Sequence, residues 1–337
     1  MRRLRHALPP HSALSLHRSR PPRRLLAGFT SLLLFALWAA PATAWSDAGH
    51  RVVAEIAWEE MSPEARQQAV ELLRRAPQDS GITGLAPAGR DWLLFTIAAT
   101  WPDLVKRIDD HPYDHPTWHY TNHFWRVDAE GRPRPVPGLQ PAEENVVERT
   151  RHLSAVLADG SRPAGERAVA LAWLLHLAGD VHQPLHASSR VTDHPGEEEG
   201  DRGGNRVLLH RQGWFSDRQV NLHGYWDRIF DQARGARFWE SERAWVRRLA
   251  EEAVAEWPSE RLPEAAEANP GAWARESLGL AQAVVYPGVR RGEEPSAAYR
   301  ERALATARRG VALAGYRLAA LLEGALAEAD RPEAARD

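Results

Sequence analysis

Residues 171–186 read LAWLLHLAGDVHQPLH, a stretch that is apolar on most of its surface but carries two polar side chains on one face. His176 and Asp180 are four residues apart, so on a helix they share a face and can bind the same ion. A carboxylate on so apolar a helix is costly without a partner. Pro184 disfavours helix at the residue before it and redirects the chain, which lets His186 approach from another angle. The stretch predicts a buried helix that carries part of a metal site.

The same spacing recurs in NLHGYWD, residues 221–227, where His223 and Asp227 lie four apart on a second predicted helix. A single pair of this kind is more often a surface ion pair. Two such pairs in one chain favour metal binding instead.

Helical periodicity dominates the rest of the chain, which predicts an all-α protein with a short β-hairpin and long loops. Apolar residues recur at three- and four-residue spacing in Ala48–Met61, Pro63–Arg75, Ala142–Ala158, Ala164–His182, Phe238–Glu256, Pro270–Val285 and Ala297–Glu328. Ser62 and Ser161 precede prolines near two of these starts and are predicted N-caps. Weak alternation predicts short strands over His123–Val127 and Val207–His210.

The first 44 residues have the pattern of a cleaved signal peptide. They carry seven arginines and no acidic residue, and an apolar run from Leu25 to Ala40 ends at the A-x-A tripeptide Ala42-Thr43-Ala44. We therefore expect residues 1–44 to be removed and residues 45–337 to form one domain that begins with a free α-amine on Trp45. The expected location is the periplasm or the exterior, with no membrane anchor after cleavage.

Charge and cysteine content narrow the function of that domain. The leader holds seven of the 43 basic residues and none of the 45 acidic ones, so residues 45–337 have a net charge of −9. Bulk charge therefore does not attract polyanions, and phosphate must be bound by metal ions or a few cations. There is no cysteine, which leaves His, Asp, Glu and the amino terminus as metal ligands and favours hydrolytic sites.

Two further motifs are ambiguous when taken alone. In TWPDLVK, residues 100–106, Asp103 is more often a helix N-cap than a ligand, and Lys106 is the only lysine among 43 basic residues. In WHYTN, residues 118–122, His119 is more often an ordinary core or loop histidine.

Taken in order, the motifs resemble those of the zinc-dependent single-strand nucleases of moulds and plants, which in turn resemble bacterial zinc phospholipases C. The shared features are a terminal Trp45 with His50, W-P-D-x-x-K, W-H-Y-x-N, H-x-x-x-D-x-x-Q-P-L-H, G-D-x-G-G-N at residues 200–205 and N-L-H-x-x-W-D. The resemblance implies a mainly helical fold with three zinc ions in a cleft. It covers Trp45 to about Asp227 directly. The absence of cysteine departs from the disulfide-bonded eukaryotic members and fits a bacterial version.

The resemblance also implies which residues bind each ion. Asp103, His119 and His176 would bind the first ion, and Asp180 would bridge it to a second. The second ion would also take His50 and the α-amine and carbonyl of Trp45. The third would take His186, His223 and Asp227. Six other histidines are expected to be non-ligands: His111, His115, His123, His182, His194 and His210. Of these, His182 is a candidate to hydrogen-bond a ligand carboxylate.

The implied activity is hydrolysis of single-stranded DNA and RNA, and of 3′-nucleotides, to products with 5′-phosphate and 3′-hydroxyl ends. Lys106 would neutralise charge that develops on the phosphoryl oxygens, and Asp180 would act through the paired ions. Tyr120 would stack against an unpaired base. Asn122 stands where mould enzymes have an acidic residue, so base preference does not carry over.

Two other functions remain open at the level of the sequence. A phospholipase C would use the same metal site, because that site does not distinguish what is esterified to the phosphate. A zinc-binding periplasmic protein without catalysis would need a saturated four-ligand site at every ion. No stable protein partner is implied.

Overall fold

A computed structural model describes residues 45–211, 218–233 and 240–331. The predicted signal peptide lies outside these ranges. The described part is mainly helical, which confirms the predicted fold class. Its eleven helices are α1 (Asp47–Glu60), α2 (Pro63–Leu73), α3 (Asp91–Ala98), α4 (Trp101–Val105), α5 (Val146–Ala158), α6 (Ala164–His182), α7 (Leu222–Asp227), α8 (Ile229–Ala233), α9 (Glu242–Glu256), α10 (Pro270–Leu280) and α11 (Ala297–Ala329).

Helix α6 lies at the centre of the fold. It contacts α1, α2, α4, α5, α10 and α11, and nearly every residue from Ala168 to His182 is buried. A helix that is apolar on all sides is stable only when it is surrounded, which explains this position. The predicted helix and its burial are confirmed. His176 and Asp180 are therefore held inside the protein.

Capping residues explain where the helices start. The Ser62 hydroxyl accepts a hydrogen bond from Ala65 N at 3.2 Å, as predicted for α2. Ser161 was wrongly predicted as a cap, because Pro163 occupies the N-cap of α6 and the Ser161 hydroxyl donates to Asp159 at 2.6 Å. Helix α5 begins four residues later than predicted, because Asn145 caps it by accepting from Val147 N and Glu148 N.

Other boundaries differ modestly from the predictions. The helix predicted over Pro270–Val285 ends at Leu280 and continues as a π-helical turn, Ala281–Val285. Helix α9 begins at Glu242 behind the cap Ser241. The predicted start of that helix, Phe238, lies outside the described residues. Helices α3 and α4 were not predicted, because they are too short for a clear apolar period.

Five short strands complete the described structure. Strand β1 (His123–Val127) pairs antiparallel with β2 (Pro133–Pro135) and parallel with β3 (Ser188–Arg190). Strands β4 (Leu208–Arg211) and β5 (Arg218–Asn221) form the predicted hairpin, with Leu208 opposite Asn221. Strand β3 follows the turn that carries His186, and β5 leads directly into α7. The sheets therefore hold two segments that carry predicted ligands.

The apolar side chains of the described residues form one continuous core. Helix α11 is the described helix that is long and apolar enough to cross a membrane, but most of it is buried against α1, α5, α6 and α9. Burial of that kind is typical of a core helix.

Candidate metal centre

Eight of the nine predicted ligands converge from six segments, and all eight side chains are almost completely buried. They are His50 on α1, Asp103 on α4, His119 on a 3-10 turn, His176 and Asp180 on α6, His186 on a second 3-10 turn, and His223 and Asp227 on α7. Their ligand atoms form three groups, and within each group the atoms lie within 4.8 Å of one another.

The first group consists of Asp103, His119 and His176. His119 Nδ1 lies 3.0 Å from His176 Nε2. Neither carboxylate oxygen of Asp103 has a hydrogen-bond partner, although the side chain is buried. Asp103 does not cap α4, since Thr100 occupies the N-cap position. Two lone-pair nitrogens and an unsatisfied carboxylate therefore face one point.

The second group consists of His50, His176 and Asp180. The two oxygens of Asp180 face different neighbours. Oδ2 lies 3.1 Å from both His119 Nδ1 and His176 Nε2, whereas Oδ1 lies 3.5 Å from His50 Nε2. The imidazole of His50 stacks on that of His176 at a centroid distance of 3.8 Å. Asp180 thus lies between the first and second groups.

The third group consists of His186, His223 and Asp227. His223 Nε2 lies 3.6 Å from Asp227 Oδ2, and His186 Nε2 lies 4.0 Å from Asp227 Oδ1. The four-residue spacing places His223 and Asp227 on one face of α7, as their sequence predicts. His186 comes from the turn that begins at Pro184.

Backbone carbonyls fix the orientation of three imidazoles. His176 Nδ1 donates to Ala99 O at 2.8 Å, His186 Nδ1 to His119 O at 2.5 Å, and His223 Nδ1 to Gly203 O at 2.8 Å. A carbonyl accepts only from an N–H, so each ring carries its proton on Nδ1 and has a lone pair on Nε2. This arrangement is typical of metal-binding histidines.

Burial shifts the pKa values in the direction that metal binding requires. It lowers the pKa of His50, His119 and His186 well below the usual range, and neighbouring histidines lower them further. Burial likewise lowers the pKa of His223 to about 4. These imidazoles are therefore neutral at pH 7. Burial also lowers the pKa of His176, but the adjacent Asp180 outweighs this effect and leaves it above its usual value.

The pKa values of two ligand carboxylates are raised instead of lowered. Burial raises the pKa of Asp180 to about 6, and it raises the pKa of Asp227 well above its usual range. A buried carboxylate with a raised pKa takes up either a proton or a nearby cation. The last turn of α6, which carries Asp180, adds the negative end of the helix dipole. The buried carboxylates would therefore be stabilised by a cation bound next to them.

Unsatisfied buried atoms test whether a metal fits. His50 Nε2, His186 Nε2, Asp180 Oδ1 and Asp227 Oδ2 have no hydrogen-bond partner, and neither do the oxygens of Asp103. Buried polar atoms are normally paired, so this concentration is unusual. Imidazole nitrogen and carboxylate oxygen are ligands that zinc takes. The residues present fit divalent metal ions.

Trp45, the ninth predicted ligand, lies beside the second group. Its indole Nε1 donates to Gly179 O at 3.0 Å, next to Asp180, and its ring packs against Phe230. The following residue, Ser46, donates its backbone N–H to Asp227 O at 2.8 Å. The side chain of Trp45 is thereby tied to α6, and the peptide that follows it is tied to α7.

Comparison with known proteins agrees with this geometry. The sequence model of the S1/P1 nuclease family matches residues 45–327. The chain is a member of the S1/P1 nuclease family. It is therefore a nuclease, a hydrolase of phosphodiester bonds, in a family that depends on metal ions. The match begins at Trp45 and spans all three groups.

Individual relatives of this nuclease are distant. Endonuclease 3 of Arabidopsis thaliana is 25% identical over 308 residues, which cover 87% of this chain and 92% of that protein. Nuclease P1 of Penicillium citrinum is 26% identical over 194 residues, 56% of this chain and 58% of that protein. Endonuclease 5 of A. thaliana is 32% identical over 165 residues, 45% of this chain and 49% of that protein. The match to the family model carries the assignment to the family, and identities this low do not carry the substrate preference of these relatives over to this chain.

The residues predicted to contact substrate are each close in sequence to a predicted ligand. Lys106 follows α4, is half-buried, and its charge is among the causes that lower the pKa of His119, His186 and His223. Lys106 is thus electrostatically close to the first and third groups. Tyr120 is half-buried next to His119, and Asn122 is half-buried just before β1.

His182 does not bond a ligand carboxylate, which corrects one expectation. Its Nδ1 donates to Ala178 O at 2.7 Å, and its Nε2 accepts from Arg317 at 2.9 Å. Both ring nitrogens of His182 are therefore occupied by residues outside the three ligand groups. The sequence alone does not decide the orientation of His182, because a histidine at the end of a helix can face either the metal centre or the core.

Sequence reasoning also missed residues that shape the site without being ligands. Gly179 is one, since a Cβ there would lie 2.7 Å from His50 Nδ1. Gly203 is another, with φ of +62° and a virtual Cβ 2.4 Å from Leu185 O. The glycines of GDRGGN were the available signal, because an L side chain rarely adopts a positive φ.

Proposed function

We propose that this nuclease binds three zinc ions and cleaves single-stranded DNA and RNA internally to leave 5′-phosphate and 3′-hydroxyl ends. It would also remove phosphate from 3′-nucleotides. The observation that carries the proposal is the convergence of buried imidazoles and carboxylates into three groups, in a chain that matches the S1/P1 family over residues 45–327.

The proposed ligands follow the three groups. Asp103, His119 and His176 would hold one ion. His50 would hold a second with the α-amine and carbonyl of Trp45, and Asp180 would bridge the two. The positions of the Asp180 oxygens support the bridge, since Oδ2 faces the first group and Oδ1 faces His50. A third ion would take His186, His223 and Asp227.

When bound, zinc would supply an activated water at neutral pH. Its positive charge would stabilise the negative charge on the phosphoryl oxygens. The protein's part is to present buried imidazole nitrogens and carboxylate oxygens as ligands, and to keep other water out of the site. Lys106 would add positive charge beside the scissile phosphate without binding metal. No side chain among the three groups is needed as a separate general base.

Preference for single strands would come from base stacking. Tyr120 is half-buried beside His119, so a base that stacks on its ring would place the neighbouring phosphate near the first group. A base within a duplex is already stacked and paired, and must leave the helix to reach the ring. Asn122 would contact a base edge with both a donor and an acceptor.

We also propose export, with residues 1–44 as a signal peptide that is removed before Trp45. The proposal rests on the composition of those residues and on a family match that begins at Trp45. Zinc would then cross-link a cysteine-free chain in an oxidising compartment. N-terminal sequencing of exported protein tests this step, and any first residue other than Trp45 contradicts it.

One experiment tests substrate and metal together. The same preparation is assayed on single-stranded DNA, duplex DNA, RNA, 3′-AMP and phosphatidylcholine, with zinc content measured in parallel. We expect cleavage of the single strands and of 3′-AMP, little cleavage of duplex or lipid, and about three zinc ions per chain. Chelation should remove activity and lower the melting temperature, since the ions bind only the folded state. Lipid hydrolysis without nuclease activity would favour the phospholipase alternative.

A further inference from the structure

Gln183 is a fully buried residue between the end of α6 and the turn that carries His186. Its side-chain Oε1 accepts from Leu185 N at 2.6 Å, and its Nε2 donates to Asp227 Oδ1 at 2.7 Å. The backbone N–H of Leu185 can only donate, so the amide oxygen must face it. The NH₂ group is therefore fixed toward Asp227.

The backbone of Gln183 contacts two more predicted ligands. Its N–H donates to Asp180 O at 3.0 Å, and its carbonyl accepts from His186 N at 3.0 Å. Gln183 thus joins the backbone of Asp180 to two members of the third group. The hydrogen bonds meet at the point where Pro184 turns the chain.

The hydrogen bond to Asp227 decides which oxygen remains available. Oδ1 is occupied by the amide of Gln183, whereas Oδ2 has no partner and lies 3.6 Å from His223 Nε2. Rotation of the carboxylate away from this orientation would break the bond to Gln183 and leave a buried amide N–H unsatisfied, which is unfavourable.

We propose that Gln183 is a positioning residue for the third ion, which it serves by holding Asp227 Oδ2 toward His223 and by fixing the turn that presents His186. The inference rests on the proposed three-zinc site. Residues that orient metal ligands from outside typically contribute 10–100-fold to metal affinity.

A purely structural role makes a different demand on this residue. Stabilising the turn requires only Oε1, which accepts from Leu185 N. Orienting Asp227 requires Nε2 as a donor. Gln183→Glu separates the two roles, because it keeps an oxygen for Leu185 and places a second oxygen, instead of a donor, against the Asp227 carboxylate.

The test compares the wild type with Gln183→Glu and Gln183→Met. The matched control is Gln67→Glu, because Gln67 is exposed on α2 and its Nε2 likewise donates to a carboxylate, Glu71, at 2.7 Å. Metal-free proteins are titrated with zinc, ions per chain are counted by native mass spectrometry, and melting temperatures are recorded before zinc is added.

We expect Gln183→Glu to bind two ions as the wild type does and the third ~10–100-fold more weakly. Its metal-free melting temperature should stay near that of the wild type, and Gln67→Glu should change neither quantity. Gln183→Met should show the same selective loss with lower stability, because Leu185 N loses its acceptor.

Unchanged affinity for every ion in Gln183→Glu would overturn the inference, and so would equal weakening of all ions or failure of this variant to fold. A wild type that binds fewer than three ions would contradict the proposed function instead. In that case an identical count and affinity in wild type and Gln183→Glu still overturns the role of Gln183, and a selective loss still supports it.

Discussion

Replacing Gly179 with alanine tests how closely His50 is packed against α6. Glycine inside a helix is normally a defect, and alanine there gains ~1 kcal/mol from helix propensity. At Gly179 the added Cβ would lie 2.7 Å from His50 Nδ1 and 3.1 Å from its Cε1. Non-bonded heavy atoms prefer about 3.5–4.0 Å, so the ring must shift by roughly 1 Å.

The ring of His50 cannot make that shift freely, because it is completely buried and stacks on His176, on the same helix as Gly179, at a centroid distance of 3.8 Å. Metal–ligand distances tolerate only about 0.2 Å of error. We therefore expect Gly179→Ala to lose the ion of the second group and most turnover. Overpacking a core costs ~1–3 kcal/mol, so the metal-free variant should be ~0–2 kcal/mol less stable than wild type after the propensity gain.

Gly324→Ala provides the matched control, because Gly324 lies inside α11 and nothing lies within 4 Å of its virtual Cβ. It should gain up to ~1 kcal/mol and keep zinc and activity. Urea unfolding of metal-free protein and elemental analysis of loaded protein measure both quantities. If Gly179→Ala behaves like Gly324→Ala in stability, zinc content and turnover, the proposed packing of His50 as a metal ligand is refuted.

Three further predictions concern single residues of the site. Asp180→Asn should lower turnover more than Asp227→Asn, because Asp180 contacts two groups and Asp227 one; equal losses with zinc retained in both would contradict the bridge. Lys106→Ala should lower turnover but leave zinc content intact, and Lys106→Arg should restore much of the rate; an alanine variant with unchanged turnover would remove Lys106 from the mechanism. An extra residue before Trp45 should cost one zinc and most activity in folded protein, because the α-amine would be displaced; full activity in a preparation whose mass shows the retained residue would exclude N-terminal ligation.

Much of the site follows from local pattern in the sequence. The spacing of His176 and Asp180 on an apolar helix predicts both the burial of α6 and the shared face, because a helix returns to the same side after four residues. The spacing of His223 and Asp227 does the same for α7. Pro184 explains why His186 comes from a separate segment. These features depend only on residues close together in the chain.

Distant residues set what local pattern cannot show. The carbonyls of Ala99 and Gly203 that orient His176 and His223 come from loops 77 and 20 residues away. A carbonyl has no signature in a sequence, because every residue has one. The short helices α3 and α4 also depend on distant residues, because neighbouring segments of the fold bury them although their own apolar periodicity is weak.

The ligands of the three groups come from several segments of a chain that has no cysteine. Helix α6 contributes only two of the eight described ligands, and the other six come from α1, α4, α7 and two turns around its C-terminal half. The convergence of these segments brings three buried carboxylates together, and like charges in a low-dielectric interior repel. This repulsion destabilises the metal-free protein at one point. Bound cations would replace it with attraction between the segments and the ions. On this argument bound metal ions would act as cross-links, a role that disulfides have in many exported proteins, and would also supply the chemistry.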